Sequence, residues 1–309
     1  MNHSERIIRT GRIALAGLVL ILGAALLPSQ AQAQVLPVVC ANLVADTGAD
    51  SDNDGFTDFQ ECTGITTIGA TPVIVPWCGT ANADGTLPTR DRCMDPNTRD
   101  LFVIVATATT GSVFPADYNA FLPVTRYGVN FNGLNALGLA VHQLRLDQAH
   151  PDRFVANAVT GVTQPKAVRV SESLDVNGAI LGNCQWGTPL GLDGCIIYSR
   201  RTQNYIASAC GSATIQTPSG ATQNPNGSPF TVLDVALAYS TYLVLHETGH
   251  SLGGLTSEYN SRFGGYHYKP GAGLVMDQAV TYTVKGGKCT FYISPGWNPT
   301  LDPASIRLK

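Results

Sequence analysis

The chain has 309 residues, a formal net charge of −3 and only 13% charged residues, with no basic stripe along it. Nucleic acid is therefore excluded as an expected partner, since such binders cluster Lys and Arg on one face. The length suits one large domain with an appendage, or two small domains.

Residues 1–33 read as a signal peptide. Arg6, Arg9 and Arg12 precede an apolar core from Ile13 to Leu27, and Ala31-Gln32-Ala33 forms an A-x-A cleavage site. The core is about 15 residues long, short for a membrane anchor. No later stretch is longer and as apolar, so no membrane span is expected after cleavage. The mature chain is expected to be secreted or periplasmic. All 8 cysteines lie beyond residue 33, and an even count in an exported chain implies disulfides. Sequence proximity pairs Cys40 with Cys62, Cys78 with Cys93, Cys184 with Cys195 and Cys210 with Cys289.

The first chemical signal is the run from Asp50 to Glu61. It has the ligand pattern of a 12-residue calcium loop. Asp50, Asp52 and Asp54 offer side-chain oxygens, Gly55 permits the sharp turn, Phe56 offers its carbonyl, Asp58 acts through water and Glu61 is the bidentate ligand. Five carboxylates this close repel one another unless a cation neutralises them. No clear helices flank the loop: Pro37 and Cys40 precede it and Cys62-Thr63-Gly64 follows. It therefore resembles the calcium loops of thrombospondin type 3 repeats and related bacterial modules more than a paired EF-hand sensor. A structural Ca²⁺ is expected, within a Cys-rich, loop-rich region spanning 34–98.

Further along, Leu101 to Thr107 predicts a buried strand by its apolar, β-branched content. Leu134 to Asp147 predicts a helix. Lys166 to Asp175 and Cys195 to Ser208 read as strands, and 212–228, rich in Ser, Thr, Asn, Gly and Pro, reads as a loop. Thr231 to Leu252 predicts a long helix, with Thr231 at its start and Asp234 in the first turn, where negative charge suits the helix dipole. It is apolar nearly all round, as buried helices are, and Gly253-Gly254 supplies its stop. Strands are expected near Val280 to Val284 and Thr290 to Ser294.

That helix ends in His246-Glu247-Thr248-Gly249-His250. Positions i and i+4 share one helix face, so both imidazoles can reach one metal ion, with Glu247 beside it to handle a water. A catalytic zinc normally has three protein ligands and an open position. Glu258, only eight residues beyond His250, leaves little room for the second helix of a thermolysin-like arrangement. His3 lies in the signal peptide, and His142 and His150 precede the motif. His267, in the glycine-opened turn Gly264-Gly265-Tyr266-His267-Tyr268, is the expected third ligand, with Asp277 as the alternative.

The run HETGHSLGG, followed by Leu274-Val275-Met276-Asp277, resembles the metzincin pattern H-E-x-x-H-x-x-G-x-x-H with its downstream Met-turn. Gly253 falls on the family's glycine and Met276 on its Met-turn. The third-His position is Thr256, so His267 would stand 11 residues beyond the usual place. The resemblance spans roughly residues 231–282. It implies an α+β, zincin-like domain over 99–309, in which an edge strand aligns the substrate above the active-site helix. It also implies a zinc endopeptidase acting on protein or peptide substrates. Zinc held by His246, His250 and His267 would activate water, with Glu247 as general base. Tyr266, Tyr268 and Tyr282 would be candidate oxyanion donors. The alternative is a catalytically weak, metal-stabilised binding or surface protein on the same scaffold. Arg92-Cys93-Met94-Asp95-Pro96 resembles the cysteine switch of matrix metalloproteases, but a disulfide from Cys93 to Cys78 is the better expectation.

Overall fold

The layering of the molecule follows from one apolar run. In the computed structural model, which describes residues 38, 40–115, 118–157, 159, 165–185, 194–252 and 280–297, the run from Leu101 lies in a strand buried on both faces. Before it come a short helix α1 (Asp58–Thr63) and two paired two-residue strands, β1 (Ile65–Thr66) and β2 (Ile74–Val75). The run itself becomes β3 (Asp100–Ala106). Successive side chains of a strand point to opposite faces. Leu101 and Val103 accordingly join one core cluster while Phe102 and Ile104 join another. A strand covered on both sides has no polar face, which is why the run reads as continuous rather than alternating.

A hairpin follows, β4 (Val124–Arg126) and β5 (Val129–Phe131), and then β6 (Ala140–Leu144), β7 (Val168–Ser173), β8 (Gly182–Gln185) and β9 (Gly194–Tyr198). The main sheet has the order β6-β3-β7-β9-β8. The first four strands run parallel, and β8 lies antiparallel to β9 at the outer edge. Helix α2 (Ser199–Cys210) and helix α3 (Val232–Ser251) pack on one face of this sheet and on each other. The segment around Phe56, Ile65, Val75 and Met94 covers the other face. A smaller sheet joins β10 (Thr214–Gln216), β12 (Lys288–Tyr292) and β11 (Thr281–Lys285) in that order. The architecture is thus mixed α+β.

Three expectations need correction. Thr214–Gln216, inside the stretch 212–228 expected to be a loop, is the strand β10, paired parallel with β12. Leu134 to Asp147 is not one helix: a single turn at Leu134–Leu137 stops at Gly138, whose left-handed conformation (φ 78°, ψ 19°) ends it. Ala140–Leu144 then pairs parallel with β3. Sheet pairing in the core outweighs the local helical spacing. Cys195 to Ser208 is a strand only as far as Tyr198. Beyond it the buried residues Thr202, Ile206 and Cys210 recur every four positions, which is a helix face. The expected strands at 101–107, 166–175, 280–284 and 290–294 are present as β3, β7, β11 and β12, with ends shifted by one or two residues.

All eight cysteines pair, as 40–62, 78–93, 184–195 and 210–289. Those are the pairs that sequence proximity suggests, and Cys93 is thereby committed to Cys78. Four disulfides suit an oxidising compartment. Among the described residues no helix is long and apolar enough to cross a membrane.

The polar seam between sheet and helices is held by Glu172 of β7. Its carboxylate accepts the amides of Ala108 (2.9 Å) and Val113 (2.8 Å) and the hydroxyls of Ser112 and Ser199 (both 2.5 Å). Burial pushes its pKa up, but these four bonds to the charged form outweigh burial and hold it below the usual value. A lowered carboxylate pKa contributes stability above the unfolded-state value and loses it as pH falls through the folded one. Glu172→Gln is expected to cost about 1–2 kcal/mol at pH 7 by urea unfolding, with the difference from wild type shrinking as pH falls through the lowered folded-state pKa. A difference that persists undiminished at low pH would show that Glu172 is not held ionised.

Candidate metal centres

Thr231 caps α3. Its hydroxyl accepts the amide of Asp234, while the Asp234 carboxylate accepts the amide of Thr231, closing a capping box. From Val235 to Gly249 nearly every residue is buried, among them Val244 and Leu245 at 0% exposure. Fully burying side chains of this kind is worth about 1.5–3 kcal/mol each. The last turn, which carries the HExxH motif, is therefore fixed by the core rather than by local propensity.

His246 and Glu247 are 6% and 7% exposed, and His250 is half-buried. The Nε2 atoms of His246 and His250 lie 3.2 Å apart, with the rings edge to face. Two imidazoles bound to one tetrahedral zinc at ~2.05 Å would have their nitrogens ~3.3 Å apart. The pair thus fits a single zinc ion. The carboxyl end of a helix carries partial negative charge, which also favours a cation there. Among the described residues no third His, Cys, Asp or Glu joins this pair. The expected third ligand His267, its alternative Asp277, the Met-turn residue Met276 and the candidate donors Tyr266 and Tyr268 all lie outside the described residues. Tyr282 stands on β11, stacked on Phe291 and meeting Tyr205 edge-on.

Glu247 faces the outer strand. A Cβ on Gly182 of β8 would come within 2.7 Å of Glu247 Oε1, so only glycine lets the strand approach this closely. Burial pushes the Glu247 carboxyl up to about 7, with the Cys184 amide pulling the other way. Such a group is poised to exchange protons near neutral pH. The Cys184–Cys195 disulfide locks β8 to β9, and its sulfurs rest 2.7 and 3.2 Å from the Glu247 carbonyl oxygen.

The 50–61 loop is tightly turned on itself. Asp50 accepts the amides of Asn53, Asp54 and Gly55, and Gly55 takes φ 100°, open only to glycine at no cost. Thr57 then caps α1 in a capping box with Gln60. The carboxylates of Asp50, Asp52 and Asp54 lie within 4.8 Å of one another. Asp58 turns back on the loop and accepts both the amide and the hydroxyl of Ser51. The side chain of Phe56 is buried against Phe102 of β3, ring centroids 5.3 Å apart, which pins the loop to the sheet.

Glu61 is 0% exposed, and neither of its carboxylate oxygens has a hydrogen-bond donor. The oxygens of Asp52 are in the same position. Burial first, and then the repulsion of neighbouring carboxylates, pushes Asp52 up to about 7 and Asp54 up to about 9, and raises Glu61 further still. Orphaned buried oxygens in a ligand-spaced loop are what a hard divalent cation satisfies.

One residue of this cluster was not legible in the sequence. Asp100, the first residue of β3, brings its carboxylate within 4.8 Å of those of Asp54 and Glu61. Behind it His142 of β6 bonds Asp100 Oδ1 through Nε2 at 2.5 Å and stacks on Phe102. The only sequence signal was a charge at the mouth of an apolar run. Of the other histidines, His150 is a surface residue whose Nδ1 accepts the amide of Asp152.

Compared with family models, curated proteins and solved structures, the chain matches none.

Chelator-stripped protein given calcium at 100 times its Kd should gain about 2.7 kcal/mol, a rise in Tm of roughly 5–10 °C. An unchanged melting temperature would remove the structural ion.

Proposed function

We propose that the chain is a secreted zinc-dependent endopeptidase, stabilised by calcium, with a zincin-like catalytic domain. The observation that carries this reading is the pairing of His246 and His250, nitrogens 3.2 Å apart, with a buried carboxyl of near-neutral pKa between them in sequence. His246 and His250 would hold the zinc, with His267 as the proposed third ligand. Bound zinc supplies Lewis acidity toward a water and the scissile carbonyl. Glu247 would accept the proton from that water and deliver it to the leaving amine, the general-base role of a carboxylate placed beside the ion. Strand β8 is antiparallel, at the edge of the sheet and against Glu247. An extended peptide adding to this edge would run its backbone past the carboxylate. The four disulfides and the signal-like N-terminal sequence support export. The second reading, a catalytically weak binding protein on the same scaffold, draws on Thr256, which occupies the position where the metzincin pattern has its third histidine.

The test is hydrolysis of casein by purified mature protein with zinc and millimolar calcium. Glu247→Ala should lower the rate by about 10²-fold or more while zinc content stays at one ion per chain. No cleavage by a folded, zinc-loaded wild type would favour the binding-protein reading.

Gly182→Ala probes the edge strand separately. The added methyl group displaces the Glu247 carboxylate, and misplacement on the order of 1 Å costs up to about 10²-fold. The expected result is at least a ~10-fold fall in turnover with unchanged zinc content. Full activity would place the base elsewhere.

A further inference from the structure

The geometry points to Asp100 as a calcium ligand supplied from outside the loop, so that the ion ties the 50–61 loop to β3 of the main sheet. This inference rests on the calcium-loop reading and extends it to a residue that the loop pattern does not contain.

Asp54, Glu61 and Asp100 are 3%, 0% and 3% exposed, and their carboxylate oxygens cluster within 4.8 Å. Close buried carboxylates of this kind repel strongly in a low-dielectric interior unless a cation or protons intervene. Glu61 provides the independent sign of a ligand: it is fully buried, both its oxygens lack a donor, and its carboxylate faces those of Asp54 and Asp100. In such loops the residue at Asp58 reaches the ion through a water. Here both Asp58 oxygens are engaged by Ser51, at 2.8 and 2.9 Å. Asp100 stands ready to supply the missing oxygen. His142 takes its Oδ1, Oδ2 has a long 3.4 Å contact from the Asp95 amide, and the carboxylate also meets the Glu61 carboxyl. The Asp100 amide in turn donates to Asp54 Oδ2 at 2.5 Å, which ties the loop to the strand. His142 is a positioning residue: packed on Phe102, it holds the Asp100 carboxylate in place, as outer-shell partners of metal ligands do.

A small cavity of about 60 Å³ is lined by Asp54, Asp100 and Phe102 together with Ser251 and Leu252 at the end of α3.

The experiment is calcium titration of the full mature protein against a competing fluorescent chelator, comparing wild type, Asp100→Asn and Asp52→Asn, with folding checked by circular dichroism. Hydrogen exchange of the wild type with and without calcium is measured beside it. Asp100→Asn should weaken calcium binding by about 10-fold or more. In wild type, calcium should protect the amides of 100–102 together with those of 50–61. Unchanged affinity in a folded Asp100→Asn, with binding lost in Asp52→Asn, would overturn the role of Asp100 and leave the loop reading standing. No calcium binding by wild type would overturn both. Should Asp100→Asn fail to fold, the exchange result decides: protection that stops at residue 61 rejects the proposal, and protection that includes 100–102 supports it.

Discussion

Burial of β3 on both faces is the constraint on which the rest of the structure depends. Its odd residues, Leu101 and Val103, face the helices, and its even residues, Phe102 and Ile104, face the disulfide-linked N-terminal segment. A strand in this position cannot expose either face without losing core contacts. Both coverings must therefore be built, and each brings a candidate metal centre with it. The helix side carries His246, Glu247 and His250 on α3. The opposite side carries the loop anchored by Phe56 on Phe102.

Carboxylates withdrawn from solvent separate into distinct kinds here, and the difference is physical. Glu172 collects four hydrogen bonds from backbone and hydroxyl donors, and its ionised form is favoured. It needs nothing more, and its work is structural. Glu61 has none and sits among other acids. Burial without donors is costly for a charge, and a fold keeps such a group where something else completes it. Glu247 lies between the two: a single carboxyl beside one edge strand, engaged by the Cys184 amide and shifted toward neutrality by burial. Satisfaction, orphaning and poise correspond to scaffold, proposed ion ligand and proposed base.

The disulfides tie segments that the hydrophobic core leaves to short elements. Cys40–Cys62 ties the ends of the segment that holds the 50–61 loop, and Cys78–Cys93 closes a stretch that otherwise holds little regular structure. Cys184–Cys195 has a different task. It joins directly opposed residues of β8 and β9, next to Glu247, and so stiffens the edge that faces the proposed base. Cys210–Cys289 links the end of α2 to β12 and holds the smaller sheet beside the helices.

What the sequence determined by itself was local. The spacing of His246 and His250, the capping box of α3, the ligand ladder from Asp50 to Glu61 and the turn at Gly55 all lie within one helix or one loop. Their geometry follows from helical and turn periodicity over a few residues. The disulfide pairs were legible because loop closure favours near partners, and β3 because its run is apolar throughout. Tertiary structure decided what depends on register between distant segments. Leu134 to Asp147 has helical spacing, yet Ala140–Leu144 became a strand because β3 offered a buried edge to pair with. That pairing sets His142 opposite Phe102 and within reach of Asp100, and it brings Asp100 to Glu61 and Asp54 across a gap in sequence that no local pattern spans. The approach of Gly182 to Glu247 is of the same kind. Side-chain spacing along one element is written in the chain, whereas contacts between elements exist only once the core has chosen which faces to bury.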